Sequence, residues 1–240
     1  MAVRLVHGDR TYVREPGERL ETDLGVVEVP ADVEPGDELD SHLGERFLVR
    51  SLRLADWFHH FERSGAPMLP RDVGMILGET GVGGDDRVLD AGTGTGVLAA
   101  ALGNVGGAVI TAERDADAAV LARKNMHLAG VDDGVDVRTG DVLDVLDDIA
   151  GAFDVVTLDT GDAPQIIPTA ADRLRPGGYL AVYSPFVEDA REVVEAARET
   201  LTDVRAVETI QRTLDVDDRG TRPSTLPVGH TGYLTFARRP

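Results

Sequence analysis

The sequence predicts an α/β fold: a seven-stranded, doubly wound (Rossmann-like) sheet preceded by a small N-terminal β domain. Three observations carry this. Between residues 87 and 237, seven short apolar runs alternate with helical stretches, the pattern of a mainly parallel sheet covered on both faces. A strand, a glycine loop and a helix follow one another directly at 88–102. The first ~55 residues instead carry short β-rich runs punctuated by turns. The boundary is placed near residue 58, giving a small β domain over 1–58 and the larger domain over 59–240.

The β-rich runs are Arg10–Val13, Gly25–Val29 and Arg46–Val49, separated by Glu15-Pro16-Gly17-Glu18 and Glu34-Pro35-Gly36-Asp37. They suggest a small antiparallel barrel or sheet acting as a docking or lid module. Asp72–Thr80 can form a helix. Arg87–Asp90 reads as a buried strand and Val97–Leu102 as the helix after its loop. Ala108–Thr111 is the next strand, ending at Glu113. Asp115 is suited to cap a helix through Leu128, with Ala118, Leu121, Asn125 and Leu128 near one face. Val135–Val137 and Phe153–Leu158 are strands. Arg175-Pro176-Gly177-Gly178 reads as a turn into the strand Tyr179–Tyr183. Val187–Leu201 is an amphipathic helix, and strands near Val204–Ile210 and Gly232–Ala237 follow.

Composition bounds the function. The chain has 240 residues, 42% hydrophobic and 28% charged, with no cysteine, which excludes disulfide scaffolds, thiolate nucleophiles and Cys-ligated metals. No apolar run is long enough to span a bilayer and the N-terminus lacks a signal peptide's apolar core, so a cytoplasmic protein is expected. Acidic residues outnumber basic ones 43 to 24, for a net charge of −19, and Lys124 is the only lysine. Such a chain ordinarily repels nucleic acid. The excess acid is spread along the whole sequence, as adaptation to molar salt would produce; a cationic partner is the other reading. In molar salt the Debye length falls to about 3 Å, so local arginine clusters decide what can bind. Two stretches are locally basic: 219–240, with four arginines and no acid, and 46–71, with five arginines against Asp56 and Glu62.

The chemistry concentrates in Val88-Leu89-Asp90-Ala91-Gly92-Thr93-Gly94-Thr95-Gly96. A ligand is expected beyond the carboxyl end of such a strand, with glycines letting the backbone approach it. The spacing is G-x-G-x-G rather than the G-x-G-x-x-G of a nicotinamide site. Together with Asp90 it resembles the first motif of S-adenosylmethionine-dependent methyltransferases. That resemblance makes Asp90, Gly92, Gly94, Thr95, Gly96, Val97 and Leu98 cofactor-loop residues. Glu113 would accept both ribose hydroxyls and Asp141 would contact the adenine amino group. Asp159, at the end of the fourth strand, would sit at the site of methyl transfer, touching the cofactor and acting as the catalytic carboxylate.

Further pieces narrow the resemblance: Ala66-Pro67-Met68-Leu69-Pro70-Arg71-Asp72, Arg175–Pro185 and Gly229-His230-Thr231-Gly232-Tyr233-Leu234. With these, residues 63–240 resemble the tRNA (adenine-N1)-methyltransferases of the T-loop, and the acidity suggests an archaeal halophile type. The resemblance implies adenines 57 and/or 58 as targets, tRNA and S-adenosylmethionine as partners, and a homotetramer. Arg71, Arg222 and His230 are the expected RNA contacts. No metal and no membrane partner is expected. Two departures stand out. Thr160-Gly161-Asp162-Ala163-Pro164 replaces the family's proline-aromatic wall, and Leu69 stands where relatives often carry an aromatic. A methyltransferase acting on a protein carboxylate or small molecule, and a non-catalytic tRNA-binding subunit, remain alternatives.

Overall fold

The computed structural model describes residues 1–226 and 229–240. Six strands form the N-terminal module: β1 (Val3–His7), β2 (Arg10–Arg14), β3 (Arg19–Thr22), β4 (Gly25–Glu28), β5 (Glu38–Asp40) and β6 (Arg46–Ser51). Four of them make an antiparallel sheet in the order β2-β1-β6-β5, and β3–β4 is a separate hairpin. Val3, Leu5, Leu20, Val27, Phe47 and Val49 point inward to a small core of their own. Strands β1, β3 and β5 are additions to the three expected runs; each is only three to five residues long.

The chain then enters α1 (Leu54–His60) and α2 (Pro70–Thr80). The expected boundary at 58/59 falls inside α1. Its Trp57 stacks on Phe61 at 6.1 Å, and both are buried in the core of the larger unit. The alternating part follows as β7 (Arg87–Ala91), α3 (Val97–Asn104), β8 (Ala108–Glu113), α4 (Ala116–Ala129), β9 (Val135–Thr139), α5 (Val142–Asp147), β10 (Phe153–Leu158), α6 (Ala163–Arg173), β11 (Leu174–Ser184), α7 (Val187–Thr200) and β12 (Thr202–Glu208). A hairpin, β13 (Leu214–Asp217) and β14 (Gly220–Pro223), precedes the last strand, β15 (Tyr233–Arg238).

Seven strands lie in the order β12-β15-β11-β10-β7-β8-β9. All neighbours are parallel except β15, which runs antiparallel between β11 and β12. Two apolar clusters cover the two faces. One buries α1–α4 side chains such as Trp57, Ile76, Leu102 and Met126; the other buries Leu146, Ile167 and Val193 from α5–α7.

Three details differ from the expectations. Asp115 does cap α4, accepting from the amides of Asp117 and Ala118, but the helix turns a neighbouring face inward. Ala119, Ala122, Met126 and Ala129 are buried with Asn125, while Ala118, Leu121 and Leu128 are only half-buried at the rim. Small alanines let α4 approach closely. Asn125 is buried because it bonds the Thr95 carbonyl at 2.8 Å and the Glu62 carbonyl at 2.9 Å, satisfying its amide. Second, Arg175–Gly178 is a bulge inside β11 rather than a turn before it; the register against β10 jumps between Phe153 and Val155. Third, α5, α6 and the β13–β14 hairpin are additional elements.

Candidate active site

The order of the strands reverses between β7 and β10, which opens a crevice beyond their carboxyl ends. Four strand ends meet there and line a cavity of about 280 Å3: Gly92 and Gly94 after β7, Glu113 from β8, Asp141 after β9 and Asp159 after β10. Gly92 has φ +86°, and a Cβ on it would lie 2.0 Å from the Asp159 carbonyl oxygen. Gly94 lines the cavity, and a Cβ on it would meet nothing closer than the Gly92 carbonyl oxygen at 3.9 Å. Gly96 packs α3 on α4, where a Cβ would meet the Met126 methyl at 2.5 Å.

Asp90 stands behind this surface. It is buried, and its carboxylate accepts hydroxyls from Thr111 at 2.6 Å and Thr157 at 2.5 Å. It thereby ties β7 to both neighbouring strands and sets the start of the loop; burial pushes its pKa up. The side chains of Val97 and Leu98 are likewise core groups in the first turn of α3. The Thr95 hydroxyl is buried and has no hydrogen-bond partner among the described residues.

The cavity's carboxylates are held by backbone amides. Glu113 accepts from Gly94 N at 2.8 Å through one oxygen and from Asp115 N at 3.0 Å through the other. Asp141 caps α5 by accepting from Leu143 N at 2.9 Å. Asp159 is half-buried, and its own amide donates to the Ala91 carbonyl at 2.8 Å. Burial, and then the charge of Asp90, push the Asp159 pKa from the ordinary carboxylate value up to about 7.

Asp162 stands at the start of α6 and pairs with Arg114, whose Nη1 lies 2.9 Å from it and 3.9 Å from Asp141. This ion pair spans the side of the cavity where the proline-aromatic wall was missing. Arg114 was not among the expected site residues. Its signal in the sequence is an arginine placed directly after the acidic end of β8.

The three expected RNA contacts separate. Arg222 is exposed on β14, 3.8 Å from Asp215 on the facing strand. Arg71 turns inward; its side chain is 12% exposed, and Nη2 donates to Thr231 Oγ1 at 2.9 Å and the Gly229 carbonyl at 3.2 Å. His230 bonds Glu208 at 2.8 Å and the Pro185 carbonyl at 3.1 Å; the Glu208 partner raises its pKa. Val228, which directly precedes that motif, lies outside the described residues.

Four carboxylates, Glu113, Asp141, Asp159 and Asp162, line one cavity beside the single guanidinium of Arg114 and would repel a pyrophosphate. They suit a ligand with ribose hydroxyls, an amino group and a positive centre, and the Thr95 hydroxyl stands unpartnered in the same loop. Fold and donor set together define a class I S-adenosylmethionine-dependent methyltransferase. The profile of the family described as "tRNA methyltransferase complex GCD14 subunit" matches residues 66–222, and the chain belongs to that family.

The tRNA (adenine(57)-N(1)/adenine(58)-N(1))-methyltransferase TrmI of Methanocaldococcus jannaschii is 32% identical, over 97% of this chain and 92% of that protein. The tRNA (adenine(58)-N(1))-methyltransferase TrmI of Thermus thermophilus is 30% identical, over 85% and 82%. Among solved structures, the tRNA methyltransferase TrmI of Aquifex aeolicus superposes with a TM-score of 0.77 at 23% identity, covering 100% of this chain and 97% of that one. An O-methyltransferase of Thermotoga maritima gives 0.83 at 24%, covering 99% and 92%. At these identities the structural likeness is one of fold, and it agrees with the seven-stranded sheet and β module.

Proposed function

We propose that this chain methylates N1 of an adenine in the T-loop of tRNA, at position 57, position 58 or both. Family membership supports the substrate class. The observation that carries the chemistry is Asp159, a carboxylate at the switch point beside the glycine loop. S-adenosylmethionine supplies an electrophilic methyl group, which the adenine N1 lone pair takes as the carbon–sulfur bond breaks. The chain's residues do the rest. Glu113 and Asp141 hold the adenosine of the cofactor, with the Gly92–Gly96 backbone against it. Asp159 accepts the exocyclic amino group of the target adenine and offsets the positive charge that develops on the ring. Its pKa near 7 also suits it to take up the amino proton. The target base leaves its stack to reach this depth, at a cost of a few kcal/mol.

The finer features are our reading as well. Arg222 belongs to the RNA path, whereas Arg71 and His230 act by holding the Gly229–Thr231 segment. The exposed apolar residues Ile210, Leu214, Val216 and Leu226, on and beside the β13–β14 hairpin, favour assembly with copies of the same chain, such as a homotetramer. The acidic, nearly lysine-free composition supports a salt-adapted enzyme of archaeal type, which we place in the cytoplasm. The six N-terminal strands, residues 3–51, form a module that docks tRNA or covers the site. The test is methyl transfer to unmodified tRNA in molar salt, followed by nucleoside analysis, with guanosine placed at 57 or 58. 1-Methyladenosine lost with one or both replacements is expected; its absence from intact tRNA would overturn the reading.

A further inference from the structure

The Gly229–Gly232 segment is joined to α2 by an inward-facing polar cluster that the cofactor cavity does not use. Thr231 is its hub. Its hydroxyl donates to Asp72 Oδ2 at 3.0 Å and accepts from Arg71 Nη2 at 2.9 Å. Its carbonyl accepts from the Tyr183 hydroxyl at 2.6 Å. Asp72 is 1% exposed, so its carboxylate depends on Thr231 Oγ1 and on Arg71, whose Nε lies 3.9 Å away. Gly232 presses on the Tyr183 ring so closely that a Cβ there would lie 2.5 Å from Cζ. His230 anchors the same segment to Glu208 and Pro185.

Tyr183 stands beside the reacting end of the site. Leu158 of β10 is paired in parallel register with Val182 of β11, and both point into the α5–α7 face. Tyr183 of β11 and Asp159, the residue just past the end of β10, follow this pair, and continued alternation puts both on the opposite face. Tyr183 packs against the α1–α4 cluster there. Burial first, and then the Asp159 charge, raise the Tyr183 pKa, as neighbours would.

We propose that Asp72 is a positioning residue for methyl transfer: through Thr231 it fixes the half-buried Tyr183 ring as a wall next to Asp159. This rests on Asp159 marking the acceptor site. Displacement of a catalytic group's neighbour by about 1 Å can cost on the order of 10²-fold in rate. The link joins residues 66–72 to residues 229–234 although 160 residues separate Arg71 from Thr231. Neither reaches the cofactor cavity; each holds the other.

The experiment compares Asp72→Asn, Thr231→Val and Thr231→Ser in the full chain. Thr231→Val keeps shape and loses both hydroxyl bonds; Thr231→Ser keeps them. Asp72→Asn and Thr231→Val should lower kcat at least about tenfold, while KM for tRNA and the cofactor Kd stay within about twofold, and Thr231→Ser should stay near wild type. Protein labelled with 3-fluorotyrosine supplies a readout that needs no turnover. The fluorine resonance of Tyr183, assigned with Tyr183→Phe, should move in Asp72→Asn and Thr231→Val and not in Thr231→Ser. An unmoved resonance, an unchanged kcat in Thr231→Val, or an equal loss of kcat, tRNA affinity and cofactor affinity would overturn the proposal. Failure of the wild type to methylate tRNA would instead remove the reading of the site, and the fluorine shifts would still decide the link from Asp72 to Tyr183.

Discussion

Gly92 and Asp159 are packed so tightly that any side chain at position 92 would run into the Asp159 carbonyl, with only 2.0 Å between that oxygen and a Cβ. The loop after β7 and the end of β10 therefore fix each other's position. Gly92→Ala adds this backbone clash to the strain of φ +86°, and should destabilise the unliganded protein by about 2 kcal/mol or more. Gly94→Ala also carries a positive φ, +52°, but its Cβ would meet only the Gly92 carbonyl oxygen at 3.9 Å, an ordinary contact, and the change should cost about 1 kcal/mol. Urea denaturation of both variants checks the difference; equal losses would contradict the close approach.

Glu113 already has its two oxygens aimed by backbone amides, so replacing it should act on the cofactor first. Loss of a charged hydrogen-bond partner costs about 1.5–3 kcal/mol, or roughly 10–150-fold in affinity. Calorimetric titration of Glu113→Ala with S-adenosylmethionine should show that loss, whereas Asp159→Ala should bind the cofactor much more nearly as wild type does.

Asp159→Ala should lower the rate of methyl transfer by about 10²–10³, and Asp159→Asn, which removes the charge, should stay badly impaired. The carboxylate must be ionised to work, and its pKa lies near 7. The wild-type rate should therefore rise with pH through about 7, and this limb should vanish in Asp159→Asn. Asp162 is committed to Arg114, so Asp162→Ala should disturb the cavity wall and cofactor binding more than the chemical step. A rate that collapses in Asp162→Ala and survives in Asp159→Ala would shift the catalytic role by three residues.

The same pKa makes a statement about stability. The folded value lies above the unfolded one, so the folded state binds the extra proton between about pH 4 and 7. That contribution is present at low pH and is lost as pH rises through about 7. Asp159→Asn has no charge to bury. Its melting temperature relative to wild type should climb from pH 5 to pH 7 and level off above; a difference independent of pH would contradict the burial of Asp159.

Arg222 tests the RNA path without touching the core. Arg222→Glu should weaken tRNA binding a few-fold and reduce the salt slope by about one phosphate contact, with cofactor affinity unchanged. The same charge reversal at Arg71 would instead strike the Thr231 link, and should show as lost activity and stability rather than as a lower salt slope.

Much of the architecture could be read from the residues. Short, β-branched runs such as Val155–Leu158 favour a buried strand, and the glycine spacing after Asp90 distinguishes one cofactor class from another. What escaped reading depends on contacts between distant segments. Asp90 and Glu113 are both acids at strand ends, yet one is enclosed by two threonine hydroxyls from neighbouring strands and the other faces the cavity. Arg71 sits in a locally basic stretch, which suggested RNA; only the fold brings Thr231 and Gly229 to its guanidinium. The inner face of α4 was misplaced because the larger leucines outweigh alanines in any count of hydrophobicity, while close packing prefers the alanines. Helices α5 and α6 are short or interrupted by prolines, which hides their period.

Strand β15 is the last of the seven in the chain but lies between two strands made before it. During synthesis, β11 must wait with an unpaired edge, and β12 with nothing beside it, until residues 233–238 have cleared the ribosome. The link from Thr231 to Asp72 and Tyr183 closes only at that moment. A nascent or prematurely ended chain thus holds the whole glycine loop but no finished acceptor wall. Production of active protein should be far more sensitive to truncation before residue 231 than the distance of residues 231–240 from the cofactor cavity suggests, with the shortened chains collecting as aggregates through the bare edge of β11.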